Sequence, residues 1–207
     1  MKCDNAIFTT ADDKARVIGG MSLPDVWWSR GYEYAWARAQ IGAAREVADM
    51  GAGWMGRPFT AELGKHCEKV WAVDLDPRLK ELPEYDHVEY VVGDFTAEYL
   101  PIPCHSLDAV FCISVLEDLE ADARERAFWE WRRLLKPGGR VIFTCDAPFD
   151  VDKPCPNYPG IDPLEVVMSA WNAGFTTGDV MIARGDDTVR HDEWNLCCFH
   201  GVAVLNG

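Results

Sequence analysis

The chain has 207 residues, 48% of them hydrophobic, which suits one domain with a sizeable core and excludes a largely disordered chain. No apolar run approaches the ~20 residues that span a bilayer, and Met1–Asn5 lacks the apolar stretch of a secretory leader. The expectation is a cytoplasmic protein with no membrane partner. A formal net charge of −14 argues against a nucleic-acid partner, because phosphate backbones require clustered Lys and Arg.

In chain order, residues 1–20 are polar and mixed and are expected to form a loose lead-in. Pro24 to Trp36 is dense in aromatic residues, with Trp27, Trp28, Tyr32, Tyr34 and Trp36 in a short span, and the stretch that follows suits a helix. These rings either pack on a sheet or cap the mouth of a site. Arg45-Glu46-Val47-Ala48 reads as a strand and runs into Asp49-Met50-Gly51-Ala52-Gly53-Trp54-Met55-Gly56. Glycine permits left-handed turns and close backbone approach to a ligand. A strand-to-helix turn of this kind aims free N–H groups at a bound molecule. A helix is predicted over about 55–66, with Pro58 tolerable only in its first turn.

A second strand, Val70 to Val73, ends in Asp74-Leu75-Asp76. Asp74 lies about twenty residues past the glycine turn, the spacing at which a carboxylate accepts ribose hydroxyls. After a short helical turn near 77–82, a third strand over 87–92 runs into Gly93-Asp94-Phe95, where a carboxylate could read an adenine amino group beside an aromatic ring. Residues 96–106 read as a loop. Leu107 to Ile113 is almost continuously apolar, as a strand buried on both faces is. The clearest helix covers about 119–135, with Leu119, Ala123, Ala127, Trp131, Leu134 and Leu135 at helical spacing and Pro137-Gly138-Gly139 as its stop. A fifth strand, Arg140 to Cys145, closes at Asp146. A proline-rich loop over 147–160, a helix over about 162–173, a strand near 176–183 and a last strand from Leu196 to Leu205 complete the chain.

Alternating strands and helices imply an α/β fold with a parallel sheet and right-handed crossovers. Gly51, Asp74, Asp94 and Ile113 fall at the carboxyl ends of the strands, where such sheets bind ligands. The eight cysteines show no CxxC spacing, so reduced structural thiols and no metal site are expected.

Taken in order, Asp49-Met-Gly-Ala-Gly, Val73-Asp74-Leu75-Asp76, Gly93-Asp94-Phe95, Ser106-Leu107-Asp108-Ala109-Val110, Ser114-Val115-Leu116-Glu117-Asp118 and Leu134-Leu135-Lys136-Pro137-Gly138-Gly139 resemble a class I S-adenosylmethionine-dependent methyltransferase of the type 11 kind. The resemblance covers roughly 45–146. It implies a Rossmann-like three-layer sandwich, a mostly parallel seven-stranded sheet and an antiparallel C-terminal edge strand. The chain is then a single domain: 1–44 as cap or lead-in, 45–146 as cofactor core, 147–207 as the acceptor side. Many relatives carry His where this chain has Asp118, so that residue's role does not transfer.

The implied cofactor is S-adenosyl-L-methionine. By resemblance, Gly51, Ala52 and Gly53 would pass its methionine and ribose, and Asp49 would orient its amino group. Asp74 would take the ribose hydroxyls, with Leu75 against the adenine and Asp94 and Phe95 at the adenine edge. Backbone at Cys112 and Ile113 would face the methionine end. Arg30 would meet the methionine carboxylate. The chain lacks an Asn/Asp-Pro-Pro-Tyr signature after the fourth strand, which together with the acidic charge favours a small-molecule methyl acceptor.

Two other readings compete. A nicotinamide-dependent oxidoreductase would use the same Gly51, Gly53, Gly56 and Asp74, but Asp49 stands where such folds carry an apolar residue and no Tyr-x-x-x-Lys set follows. A non-catalytic cofactor-binding module is the other. Of the five histidines, His105 and His191 are the first to test as a base; no catalytic residue is assigned. The sequence leaves the oligomeric state open.

Overall fold

The computed structural model describes residues 5–53, 58–81, 85–97, 99–158 and 160–206. The N-terminal part holds short strands β1 (Asn5–Ile7), β2 (Val17–Ile18) and β3 (Met21–Ser22), then helix α1 (Arg30–Ala39). The middle runs β4 (Glu46–Met50), α2 (Pro58–His66), β5 (Lys69–Asp74), β6 (Val88–Val92), β7 (Leu107–Ile113), α3 (Ala121–Leu134) and β8 (Leu135–Pro148). The last part holds α4 (Pro163–Asn172), β9 (Phe175–Thr177), β10 (Val180–Met181), β11 (Arg190–His191) and β12 (Leu196–Leu205). Single 3-10 turns form at Pro77–Lys80 and Leu116–Asp118.

The main sheet runs β10-β1-β12-β8-β7-β4-β5-β6, with β9 and β11 also paired to β12. The five strands from β8 to β6 are parallel, and β12 runs antiparallel to β8. This is the expected Rossmann-like sheet. The expected antiparallel pairing of the last two strands is present between β9 and β12.

Strand alternation sends side chains to two cores, which makes the three layers. Val47, Val70, Ala109, Phe111 and Ile142 pack with Ala37, Phe59 and Leu63 of α1 and α2. Ala48, Met50, Val110, Cys112 and Phe143 pack with Phe128, Trp131, Val166 and Ala170 of α3 and α4. Both faces of β4 and β7 are thus apolar, as a parallel strand between helical layers requires.

Two details depart from the sequence reading. The sheet has ten strands rather than seven, because short strands flank β12. One of them, β1, lies in the expected loose lead-in. It is held there by a polar residue: the fully buried Asn5 accepts from Val202 N at 2.9 Å and so replaces a ladder bond. Phe8, just beyond it, is 1% exposed against Trp36 and His200. The other departure is α3, which stops at Leu134 before Pro137-Gly138-Gly139, since Leu135 already pairs with Leu107 in the sheet.

Phe128 joins these layers most tightly, fully buried with ring contacts to Trp131, Phe143 and Phe175. Phe128→Ala should destabilise the fold by about 3–5 kcal/mol, read as a lower denaturation midpoint. A loss under ~1 kcal/mol would show that the α3 layer does not carry the core.

Candidate functional site

The order of the parallel strands reverses at β4, which has β5 on one side and β7 on the other. A crevice opens outside the carboxyl ends of strands at such a reversal. Here it is a cavity of about 920 Å³ that takes Gly51, Ala52 and Gly53 from the end of β4 and Ile113 and Ser114 from the end of β7. Gly51 (φ +75°) and Gly53 (φ +69°) both take left-handed backbone. Gly51 has no room for a side chain: a Cβ there would lie 2.3 Å from Val115 Cγ2. At Gly53 the space is open, with nothing within 4 Å of a built Cβ. Gly51 N and Ala52 N both donate to Val73 O, at 2.9 and 3.0 Å, which folds the turn back over β5. Gly56, the third glycine of the motif, lies outside the described residues.

That fold-back brings Gly53 to Asp74. Gly53 N donates to Asp74 Oδ2 at 2.8 Å, and Asp76 N donates to Oδ1 at 2.9 Å. Two backbone donors fix the carboxylate in place and leave it lone pairs for further donors. The end of β6 joins the same corner, with Gly93 N donating to Asp74 O at 3.0 Å. Leu75 stands beside it and is 64% exposed, an apolar face open to a flat ring. Asp94 Oδ1 accepts from Thr96 N and Thr96 Oγ1 at 2.8 and 2.6 Å. Asp49 is buried behind the turn, where Thr60 Oγ1 donates to its Oδ2 at 2.5 Å.

Of the residues expected to hold a cofactor, Arg30, Gly51, Ala52, Gly53 and Ile113 line the cavity itself. Asp74 joins the lining through its bond from Gly53 N, with Leu75 next to it, and Asp94 lies just past the end of the neighbouring strand β6. The Phe95 ring does not: it is buried against Trp131, 5.7 Å between centroids, so only its backbone remains for a base edge. The Cys112 side chain likewise points into the α3 side of the core. The sequence marks a strand end but not the face a side chain takes there.

The opposite wall rests on a buried ion pair. Arg30 Nη1 lies 2.7 Å from Glu33 Oε1, and Glu33 is fully buried. Ser114 Oγ donates to Glu33 Oε2 at 2.6 Å, Thr144 Oγ1 donates to the same oxygen, and Arg30 donates to Ser114 Oγ. Burial alone would raise the Glu33 carboxyl, but the Arg30 charge and the hydroxyl hydrogen bonds outweigh it and hold it below the usual range. Ser114 reaches Glu33 only by adopting φ +49°, a costly backbone state for a residue other than glycine.

Beyond that pair the wall turns acidic. Asp146, at the carboxyl end of β8, lines the cavity and is 7% exposed. Burial, with the Glu33 charge added, pushes its carboxyl up to about 7. Burial and the Asp146 charge raise Glu117 well above the carboxylate range. Aromatic side chains also line the cavity. Trp27 and Trp28 come from ahead of α1, Tyr158 from the proline-rich loop, and Trp194 from the turn before β12. Trp28 and Trp194 meet through His191, whose ring stacks on Trp194 at 4.4 Å and meets Trp28 edge-on at 5.9 Å. The aromatic N-terminal stretch is divided between the cavity and the core. Trp27, Trp28 and Tyr34 line the cavity, while Tyr32 and Trp36 pack on Phe8.

Sequence reasoning missed Glu33, Ser114, Thr144 and Trp194. Asp146 carried a usable signal, because it closes a strand as Asp74 does. His105 is not at this site: it sits at the amino end of β7, with Nδ1 3.0 Å from Leu135 O. His191 stands at the rim behind the tryptophans.

Residues 48–143 match a family model described as a methyltransferase domain. Phosphoethanolamine N-methyltransferase 1 of Triticum aestivum is 33% identical over 106 residues, which is 48% of this chain and 21% of that protein. The tRNA N(3)-cytidine methyltransferase METTL2 of Danio rerio is 35% identical over 85 residues, 39% of this chain and 23% of that protein. The chain thus spans about a fifth of the length of the curated relatives it matches. Among solved structures, Burkholderia thailandensis 1,6-didemethyltoxoflavin-N1-methyltransferase, with bound 1,6-didemethyltoxoflavin and S-adenosylhomocysteine, is similar in fold. Its TM-score is 0.63 at 22% identity, over 88% of this chain and 82% of that one.

The acidic wall has a pH signature. Asp146 titrates near 7 in the folded chain against an ordinary 3.8, so between those values the folded state holds a proton that the unfolded state has released. The stability this supplies is full below the unfolded value and is lost as pH rises through about 7. Glu117 works in the same direction. Glu33, held low, gives stability that is lost only as pH falls into the acid range. Denaturant unfolding should therefore show this contribution declining as pH rises from about 4 to about 7 and levelling off above, with a shallower decline in Asp146→Asn. Equal slopes in the two proteins would contradict the assignment.

Proposed function

We propose that this chain, which belongs to the class I S-adenosylmethionine-dependent methyltransferases, transfers a methyl group from S-adenosyl-L-methionine to a small-molecule acceptor. The observation that carries this reading is the joined turn at the strand reversal. Two left-handed glycines open onto the cavity, and Gly53 N holds the Asp74 carboxylate beside them. A cofactor with a vicinal diol, an adenine and a zwitterionic methionine fits this donor and acceptor set. Asp74 takes the diol, exposed Leu75 supports the adenine, and Asp94 with the Phe95 backbone meets its edge. Gly51, Ala52 and Gly53 leave room for the chain between ribose and methionine. Asp49, one residue behind the turn, orients the amino group through its neighbours, and the strand-end backbone at Cys112 and Ile113 faces the methionine. Arg30 offers its remaining N–H groups to the carboxylate while Nη1 stays on Glu33.

When bound, the sulfonium supplies an already activated methyl group. The protein's part is then to hold the acceptor in line and to exclude water. The four aromatic side chains that line the cavity serve the second task. A small acceptor is supported by this aromatic-lined cavity and by the −14 charge, which opposes a polyanion.

Asp74→Ala should weaken S-adenosylhomocysteine binding by ~1.5–3 kcal/mol, through loss of charge-assisted hydrogen bonds to two hydroxyls. Isothermal calorimetry reads this directly, and an unchanged affinity would place Asp74 outside the site. The acceptor class has its own test. Filter binding at physiological salt should give no sub-micromolar complex with tRNA. A tight, salt-sensitive complex would move the acceptor to nucleic acid.

A further inference from the structure

The cofactor set accounts for the glycine turn, Asp74 and Arg30, but not for the far wall of the cavity. Asp146 lines that wall at 7% exposure, and its Oδ1 has no hydrogen-bond partner. Both carboxylate oxygens of Glu117 are buried and equally without a partner. Asp118 follows directly in the chain, next to the Tyr158 hydroxyl. Among the described lining residues the one cation is Arg30, and it is already paired with Glu33 and Ser114.

A buried carboxyl with no donor is costly whether ionised or neutral. Asp146 faces the cavity and Glu117 lies buried within charge range of it, an arrangement that makes sense when something else supplies the donors and the positive charge. The same cavity presents the rings of Trp27, Trp28, Tyr158 and Trp194. Aromatic faces beside carboxylates are a recognition set for an organic cation.

Resting on the methyltransferase reading above, we infer that the acceptor is a small cationic amine whose nitrogen is held by Asp146 beside the tryptophan rings, with Glu117 buried behind it. The ammonium first gives one proton to the Asp146 carboxylate, which near neutral pH can both accept and release it. The freed lone pair forms the N–C bond while the C–S bond breaks with its electrons passing to sulfur. The product is an N-methylammonium, and the proton on Asp146 passes to solvent. Positive charge returns to the nitrogen as the N–C bond forms, on the side where the carboxyl groups lie, so the wall favours an acceptor that becomes cationic over one that becomes anionic. A hydroxyl acceptor has the opposite need. It reacts as an oxyanion, which this wall repels.

The test uses the full chain saturated with S-adenosylhomocysteine. Calorimetry compares phenethylamine and ethanolamine with their hydroxyl isosteres, 2-phenylethanol and ethylene glycol, and with 3-phenylpropionate. At least one amine should bind at least tenfold tighter than its isostere and than the carboxylate. Asp146→Asn and Glu117→Gln, which keep shape and remove charge, should each lose that amine tenfold or more while holding S-adenosylhomocysteine within about twofold of wild type. Equal binding of amine and alcohol, no amine binding, or amine binding unchanged in both variants would overturn the inference. Failure of wild type to bind S-adenosylhomocysteine at all would instead sink the methyltransferase reading beneath it.

Discussion

The Arg30–Glu33 ion pair is the interaction on which the site's shape depends. Glu33 is a fully buried carboxylate on α1, and it survives there because four groups pay for its desolvation: Arg30, Ser29, Ser114 and Thr144. Two of these come from the carboxyl ends of β7 and β8, so the pair fixes α1 over the strand ends rather than merely against the sheet. Removing one partner of such a buried pair costs about 3–5 kcal/mol, mostly because the other charge is left alone. The strained backbone of Ser114 is part of the same arrangement. With α1 held there, the residues just ahead of it, Trp27 and Trp28, come to line the cavity.

The cavity then divides by what builds it. The half proposed for the cofactor is mostly backbone: a glycine turn, strand-end amides, and a carboxylate locked by two N–H groups. Such a surface needs only a few residue types and a fixed fold. The half proposed for the acceptor is side chains carried on loops and flanking segments, namely the residues before α1, the proline-rich loop and the turn before β12. Loops on a rigid scaffold are where binding specificity is placed. The two halves meet at Ser114, which borders both Gly51–Gly53 and the acidic wall.

What the sequence made legible follows the same division. The β7 range 107–113 and the β12 range 196–205 were readable because long apolar runs between turn residues leave little choice. Asp74 was readable from spacing and strand-end position, and it stands beside the turn as expected. The Phe95 ring was misread because a strand end does not reveal which core a side chain joins. β1 escaped notice because three residues including a buried Asn carry no periodic signal. The Glu33 network was out of reach for a plainer reason. Its contacts span 81 and 111 residues of sequence, and nothing local to Glu33 marks it as buried.

The central claim is that the cofactor lies over Gly51–Gly53 with its diol on Asp74 and its methyl group facing Asp146. A crystal structure of the chain soaked with S-adenosylhomocysteine tests it most directly. The account predicts density along the glycine turn, ribose oxygens within hydrogen-bond reach of Asp74, and sulfur on the Ser114 side of the cavity. Density instead in the separate cavity of about 390 Å³ between Phe8, Trp36 and His200, with the glycine turn empty, would contradict it.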